Sequence, residues 1–179
     1  TLLAMTIVGI FVYEWQVSLP LIAQETFNGT AATYAALMSA FGIGSVAGGL
    51  YAASRKTATI RNIITNMILM GLALTVCSFT TTLTQATIAL FFVGIFSINV
   101  ITQANTLIQL ETVPEMRGRV MALWSMAMIG STPIGGPIVG ALAEFAGARW
   151  GIGIAAIAAF AGGAYLHYAR RYLRAAAVR

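Results

Sequence analysis

Long apolar segments alternate with short polar breaks along the whole chain. Each apolar segment has about the ~20 residues that an α-helix needs to cross the ~30 Å hydrocarbon core of a bilayer. The pattern therefore predicts an all-α membrane protein with six transmembrane helices. The predicted spans cover residues 2–22, 34–53, 63–79, 86–108, 120–145 and 150–168, and a basic tail follows at 169–179.

The composition is that of a chain with lipid as its solvent. Hydrophobic residues make up 59% of the 179 residues and charged residues only 8%. A soluble domain of this size could not bury so many apolar side chains. The net charge of +5 does not indicate a nucleic-acid partner, because the basic residues fall in the predicted loops and tail.

Lys and Arg residues concentrate in alternate loops. Nine of them follow the second and fourth spans or lie in the tail, whereas Arg149 alone lies in the other loops. Because membrane proteins collect Lys and Arg on the cytoplasmic side, both ends are predicted to be cytoplasmic. The nine are Arg55, Lys56, Arg61, Arg117, Arg119, Arg170, Arg171, Arg174 and Arg179. Thr1 opens almost directly on an apolar segment, so we expect the chain to be a fragment of a longer polypeptide.

Small residues recur every four positions in two spans, which places them on one helix face and allows close helix packing. In the fifth span these are Thr132, Gly136 and Gly140, and Pro133 and Pro137 remove backbone donors and are expected to bend the helix. Two interpretations stay open: general packing, or helices that change their packing during a functional cycle. The second span has Ala40, Gly44, Gly48 and Ala52.

Polar side chains within the spans are the candidates for chemistry. An acidic residue at a span centre costs roughly 2.5–3.5 kcal/mol on insertion scales, so Glu14 is a functional candidate. Gln16, Asn99, Gln103 and Asn105 are neutral polar groups in the first and fourth spans. Asn99 and Gln103 share a helix face, and Asn105 points elsewhere. The alternative for the amides is bonding between helices, worth about 0.6 kcal/mol each.

Three passages resemble the C-terminal half of major facilitator superfamily transporters, particularly bacterial members related to the enterobactin exporter. They are YEWQVSLPL at 13–21, GIGSVAGG at 42–49 and VPEMRGRVM at 113–121, which are similar to helices seven and eight and to the loop between helices ten and eleven. The segment 130–140 looks like the antiporter motif of that family. The loop at 49–56 has the glycine and basic pair of the family signature but lacks its aspartate.

The resemblance implies a secondary transporter half in a bacterial inner membrane, driven by protons and exporting a small organic molecule such as a drug or siderophore. It also implies a missing N-terminal six-helix half. Glu14, Gln16, Asn99, Gln103 and Asn105 would then lie beside the substrate or proton path. Packing and gating would involve Gly44, Gly48, Pro133, Gly136, Pro137 and Gly140, and the cytoplasmic loops would carry Arg55, Lys56, Arg117 and Arg119.

Two other classes of protein are alternatives to a transporter half. An intramembrane enzyme would need a nucleophile and a base at similar depth, but the only histidine, His167, lies at the end of the last span. No catalytic residue, cofactor or metal site is therefore predicted. The remaining alternative is a six-helix membrane scaffold, or a half-size transporter that works as a homodimer.

Overall fold

The computed structural model is all-α in the residues that it describes, which confirms the predicted fold class. It describes residues 2–55, 57–128, 130 and 132–176, with backbone alone at 2, 15, 16, 132, 134 and 172–176. A π-helical turn, Ile22–Thr26, extends α2, and a 3-10 turn, Pro114–Met116, precedes α6. The helices are α1 (Leu2–Val12), α2 (Trp15–Leu21), α3 (Ala31–Ser54), α4 (Ile60–Ser78), α5 (Leu83–Glu111), α6 (Arg117–Met128), α7 (Thr132–Ala146) and α8 (Ala148–Ala176).

Most of the apolar segments are long enough to cross a bilayer. In the described part of the chain, five have the necessary length and hydropathy, and a further apolar helix, Gly135–Ala146, is shorter. Each of the five overlaps one predicted span, and the shorter helix overlaps the predicted span 120–145. The first and fifth predicted spans are interrupted. The five are Leu3–Thr26, Ala31–Ser54, Ile60–Ser78, Leu83–Glu111 and Ala148–Arg171.

The first predicted span, 2–22, consists of two helices instead of one. Helix α1 ends at Val12, and α2 begins at Trp15 after the break at Tyr13 and Glu14. The carbonyl of Glu14 restarts the helix, since it accepts from Val17 N at 3.1 Å and Ser18 N at 3.0 Å. The break therefore places Glu14 within the span at a point where the regular ladder of backbone bonds is interrupted.

The fifth predicted span, 120–145, is also divided. Helix α6 ends at Met128 and α7 begins at Thr132. Pro133 lies in the first turn of α7, where a missing N–H removes no helical hydrogen bond. The interruption thus precedes Pro133, and Pro137 lies inside α7.

Threonine side chains mark the starts of α3, α4 and α5, three of the long uninterrupted helices. Thr30 Oγ1 accepts from Ala32 N, and Thr59 Oγ1 accepts from Asn62 N. Thr82 begins α5 in the same way. Each hydroxyl satisfies a backbone donor that has no partner inside its helix.

The long helices pack in a chain of neighbours. Helix α5 packs against α3 on one side and α4 on the other, and α8 packs against α4 and α1. Helices α3 and α4 barely touch each other, so a cleft lies between them with α5 as its floor. Helix α8 continues to Ala176, so the described part of the predicted tail is helical.

Glycines bring α3 and α5 together at backbone distance. A Cβ at Gly44 would overlap the Phe91 carbonyl oxygen, and a Cβ at Gly94 would overlap the Phe41 carbonyl oxygen. Gly48 meets the Ile95 carbonyl in the same manner. In lipid, close approach of this kind supplies the van der Waals attraction between helices. All four small residues of the period-four pattern, Ala40, Gly44, Gly48 and Ala52, are buried.

Candidate functional site

Glu14 lies at the break of the first span and is almost completely buried, with 4% of its surface exposed. Burial of an ionisable side chain inside a membrane span requires partners or a functional reason. The surrounding backbone comes from α1, α2 and α7. We call this group the Glu14 crossing and define it as Glu14, Ile10, Val17, Gly135 and Gly136.

The glycine pair Gly135 and Gly136 allows α7 to approach the carboxyl group of Glu14. A Cβ at Gly135 would overlap the Ile10 carbonyl oxygen and would lie 2.9 Å from Glu14 Oε1. A Cβ at Gly136 would lie 3.6 Å from Glu14 Oε2. Two interrupted spans therefore meet with their backbones against one carboxyl group.

A tyrosine connects the same break to α5. Tyr13 Oη donates to the carbonyl oxygen of Ser97 at 3.2 Å. Ser97 lies in the middle of an uninterrupted helix and is buried. The break is thus attached on one side to a continuous helix and on the other to the glycine pair of α7.

The carboxyl group gives the Glu14 crossing two chemical states. An ionised carboxylate only accepts hydrogen bonds, whereas a protonated carboxyl also donates one. The two states differ by a full charge in a region where lipid and protein replace water.

The side-chain amides of Asn99 and Gln103 in α5 lie away from the Glu14 crossing. Asn99 has no exposed surface, and its Nδ2 donates to the carbonyl oxygens of Gly48 at 3.1 Å and Ile95 at 2.8 Å. Gln103, one turn further along, is 6% exposed. Both line a cavity between α3, α4 and α5 that Glu14 does not line. The structure brings Asn99 and Gln103 together, as their spacing predicts, and separates them from Glu14.

The cavity has a volume of about 310 Å³, and we call it the amide cavity. That volume is at the lower end of the range for small-molecule sites. Its apolar wall is formed by Leu69, Ile95 and Phe96, and Tyr51 lies at its rim. The polar residues that line it are Arg55, Asn62, Thr65, Asn66, Asn99 and Gln103.

The remaining predicted residues do not join either group. Asn105 is half-buried, and its Oδ1 accepts from Gln109 Nε2 at 2.6 Å. Arg117 and Arg119 are exposed at the start of α6. The side chain of Gln16 and the whole of Lys56 lie outside the described residues.

Several residues of the Glu14 crossing and of the amide cavity were not identified from the sequence. Asn62 and Asn66 are four residues apart in α4, so their shared face was a readable signal. Gly135 stands beside the predicted Gly136 without being part of the period-four pattern. Tyr13 and Ser97 are 84 residues apart, and no local pattern pairs them.

Metal-binding side chains do not gather in either place. Across residues 2–55, 57–128, 130 and 132–176, no three His, Cys, Asp or Glu side chains are close enough to hold a metal ion.

The chain matches the family described as transmembrane secretion effector over residues 2–177. It therefore belongs to this family, which is part of the major facilitator superfamily. This confirms the superfamily predicted from the sequence and assigns the chain to a transporter class and not to an enzyme class. No curated protein sequence matches the chain.

A solved structure with the same fold is that of a mutant peptide transporter POT in complex with alafosfalin. The two align with a TM-score of 0.75 at 14% sequence identity, over 95% of this chain. The chain spans 38% of the length of that transporter. At this level of identity the match defines the fold.

Proposed function

We propose that the protein is a secondary active transporter that exports a small organic molecule in exchange for protons. The family description, transmembrane secretion effector, supports export. The substrate path would form between this six-helix unit and a second one that precedes it in a longer polypeptide, because the chain spans 38% of the structurally similar transporter. Substrates of drug or siderophore type fit the sequence resemblance described above.

Glu14 is the residue on which this proposal depends. It is buried at the break of the first span, against the glycine pair of α7. Protonation would favour one packing of α7 and ionisation the other, so that proton binding and the accessibility of the substrate path change together. Gln16 and Asn105 are proposed as polar groups along that path.

The test is Glu14→Gln in the full-length protein, reconstituted into vesicles with an imposed pH gradient. Gln keeps the size of the side chain but cannot exchange a proton. With a compound that the unmodified protein accumulates, chosen from a panel of drugs and siderophores, the variant should lose pH-driven accumulation. Exchange of the same compound without a gradient should remain measurable.

Glu111→Gln is the matched control, since Glu111 is exposed at the C-terminal end of α5. It should transport like the unmodified protein. If Glu14→Gln kept the rate and pH dependence of uphill transport, Glu14 would be a structural carboxyl and the coupling proposal would be wrong.

The proposed location is a bacterial inner membrane, as the sequence resemblance implies. Both ends of the chain are proposed to be cytoplasmic, supported by the nine-to-one distribution of Lys and Arg. Single cysteines in a Cys77→Ser background test it in intact cells. Cysteines at Thr57 and Gly118, which are exposed, should resist a membrane-impermeant maleimide, whereas those at Thr30 and Thr81, also exposed, should react. The reverse pattern would invert the proposed orientation.

A further inference from the structure

Two buried oxygen atoms in the amide cavity need hydrogen-bond donors. Asn99 Oδ1 and Gln103 Oε1 are buried and accept no hydrogen bond from the part of the chain that the structure describes. Leaving such an atom without a donor is unfavourable, because it loses its water and gains nothing in return. Both residues line the amide cavity. Neither oxygen has accessible surface, so a ligand that donates to them has to displace the side chains that cover them.

The orientation of Asn99 is set by its other bonds. Its Nδ2 donates to the Gly48 and Ile95 carbonyl oxygens, and exchanging nitrogen and oxygen would turn both contacts into oxygen against oxygen. The atom that remains is an acceptor. A ligand of this cavity therefore has to bring N–H or O–H groups.

Arg55 adds a second requirement. It is exposed at the rim of the cavity, and its guanidinium lies over the Tyr51 ring at 4.8 Å. A guanidinium remains positively charged and matches the geometry of phosphate oxygens. A ligand that satisfies the whole cavity therefore carries an anionic group as well as donors.

The amide cavity extends along α4 from the membrane boundary. The candidate membrane spans end at Ser54 and restart at Ile60, so Arg55 lies at a membrane boundary and Asn62 in the first turn beyond it. From Asn62 to Leu69 the cavity extends about 10 Å along α4, at 1.5 Å per residue. Along this direction the lining changes from Arg55 and Asn62 to Leu69 and Phe96.

We propose that the amide cavity is a binding site for a phosphate ester that carries hydroxyl or ammonium groups. The phosphate pairs with Arg55, and the hydroxyl or ammonium group donates to Gln103 Oε1 and Asn99 Oδ1. Phospholipid headgroups of the glycerol and ethanolamine types have this chemistry, and so do water-soluble phosphate esters. A phosphocholine headgroup has the phosphate but no hydrogen-bond donor. This site does not depend on the proposed role of Glu14.

Native mass spectrometry of the full-length protein in detergent tests the site. Phosphatidylglycerol, phosphatidylethanolamine and phosphatidylcholine are added separately, and the bound fraction is measured over a concentration series. Phosphatidylethanolamine should bind about tenfold or more tightly than phosphatidylcholine, a ratio typical of one lost hydrogen bond to a charged group, and phosphatidylglycerol should also bind more tightly than phosphatidylcholine. Equal affinity for all three lipids would overturn the proposal.

Two variants connect this preference to the cavity. Arg55→Gln removes the charge, and Gln103→Met removes the acceptor with little change in volume. Arg55→Gln should weaken phosphatidylglycerol binding by about tenfold, and Gln103→Met by roughly two- to tenfold, because it removes a bond between neutral groups. Arg61→Gln is the control, because Arg61 is exposed at the same end of α4 but does not line the cavity. If Arg61→Gln weakened binding as much as Arg55→Gln, or if neither cavity variant changed it, the lipid would be bound elsewhere.

Competition identifies the source of the ligand. Glycerol 3-phosphate offers the same phosphate and hydroxyl groups without acyl chains. If it displaces phosphatidylglycerol at millimolar concentration, and does so less well in Gln103→Met, the cavity takes a water-soluble phosphate ester. If it does not, while the lipid preference and the variant effects hold, the ligand is a headgroup of the membrane itself.

Discussion

Glycines form close helix contacts in two regions of this protein, and the helices that they join differ. In the α3–α5 pair, Gly44 and Gly94 place two uninterrupted helices backbone to backbone. At the Glu14 crossing, Gly135 does the same for α1 and α7, but both of these helices belong to interrupted spans. Close glycine contacts therefore join continuous helices in one region and interrupted helices in the other.

The α3–α5 pair and the Glu14 crossing differ in how freely their helices can shift. A continuous helix keeps its ladder of backbone bonds, so α3 and α5 can shift only as whole bodies. A break frees backbone groups and gives the chain a place to change direction. Because α1, α2 and α7 are short pieces on either side of breaks, we expect them to shift more readily than the α3–α5 pair.

The largest expected effect is on stability, at Gly44. Gly44→Ala would place a methyl group on the Phe91 carbonyl oxygen and force α3 away from α5. We expect the free energy of unfolding to fall by about 1–3 kcal/mol, as for other overpacked interiors. Thermal unfolding in detergent, followed by intrinsic fluorescence, measures the change.

Gly49→Ala is the matched control in the same helix. A Cβ at Gly49 meets nothing within 4 Å, so the variant should be as stable as the unmodified protein or slightly more stable. If Gly44→Ala and Gly49→Ala unfolded at the same temperature, the backbone contact between α3 and α5 would not hold this region together.

A smaller loss of stability and a larger loss of transport are expected at Gly135. Gly135→Ala would press on the Ile10 carbonyl and approach Glu14, but α7 is a short helix that can move away. Unfolding should therefore begin at a temperature closer to that of the unmodified protein than for Gly44→Ala. Transport by the full-length protein in vesicles should fall, because the displaced α7 no longer meets the carboxyl group.

Gly136→Ala tests whether that loss is specific to one contact. A Cβ at Gly136 would lie 3.6 Å from Glu14 Oε2, which is ordinary van der Waals contact, so transport should persist. Should Gly135→Ala destabilise the protein as strongly as Gly44→Ala, the Glu14 crossing would be as rigid as the α3–α5 pair and the comparison would fail.

Three of the uninterrupted helices were readable from the sequence because local signals define them. Apolar length predicts α3, α4 and α5, and each of them starts at a threonine whose hydroxyl accepts a backbone N–H. The burial of Gly44 and Gly48 follows from their spacing, since residues four apart share a helix face.

The interruptions were harder to predict. The break at Tyr13 and Glu14 contains neither glycine nor proline, whereas Pro20 lies inside α2 without ending it. Which neighbours hold the break depends on distant chain segments, such as Ser97 and Gly135, and no periodicity reports them. Only part of the amide cavity could be predicted. The spacing of Asn99 and Gln103 predicted their shared helix face, but the cleft above that face exists because α3 and α4 do not pack together.

The smallest expected effect concerns the far end of the first span, where an interrupted span is attached to a continuous helix. Glu25, in the π-helical turn after α2, accepts from Ala148 N at 3.3 Å, and Ala148 is the first residue of α8. A carboxylate at a helix N-terminus stabilises the helix by about 0.3–1 kcal/mol and is screened by salt. Glu25→Gln should therefore lower the unfolding temperature slightly at low ionic strength and leave it nearly unchanged at high ionic strength. Glu111→Gln, at the C-terminal end of α5, removes a negative charge from the unfavourable end of a helix and should show no decrease at either. Equal behaviour of the two variants would mean that the Glu25 contact does not stabilise the start of α8.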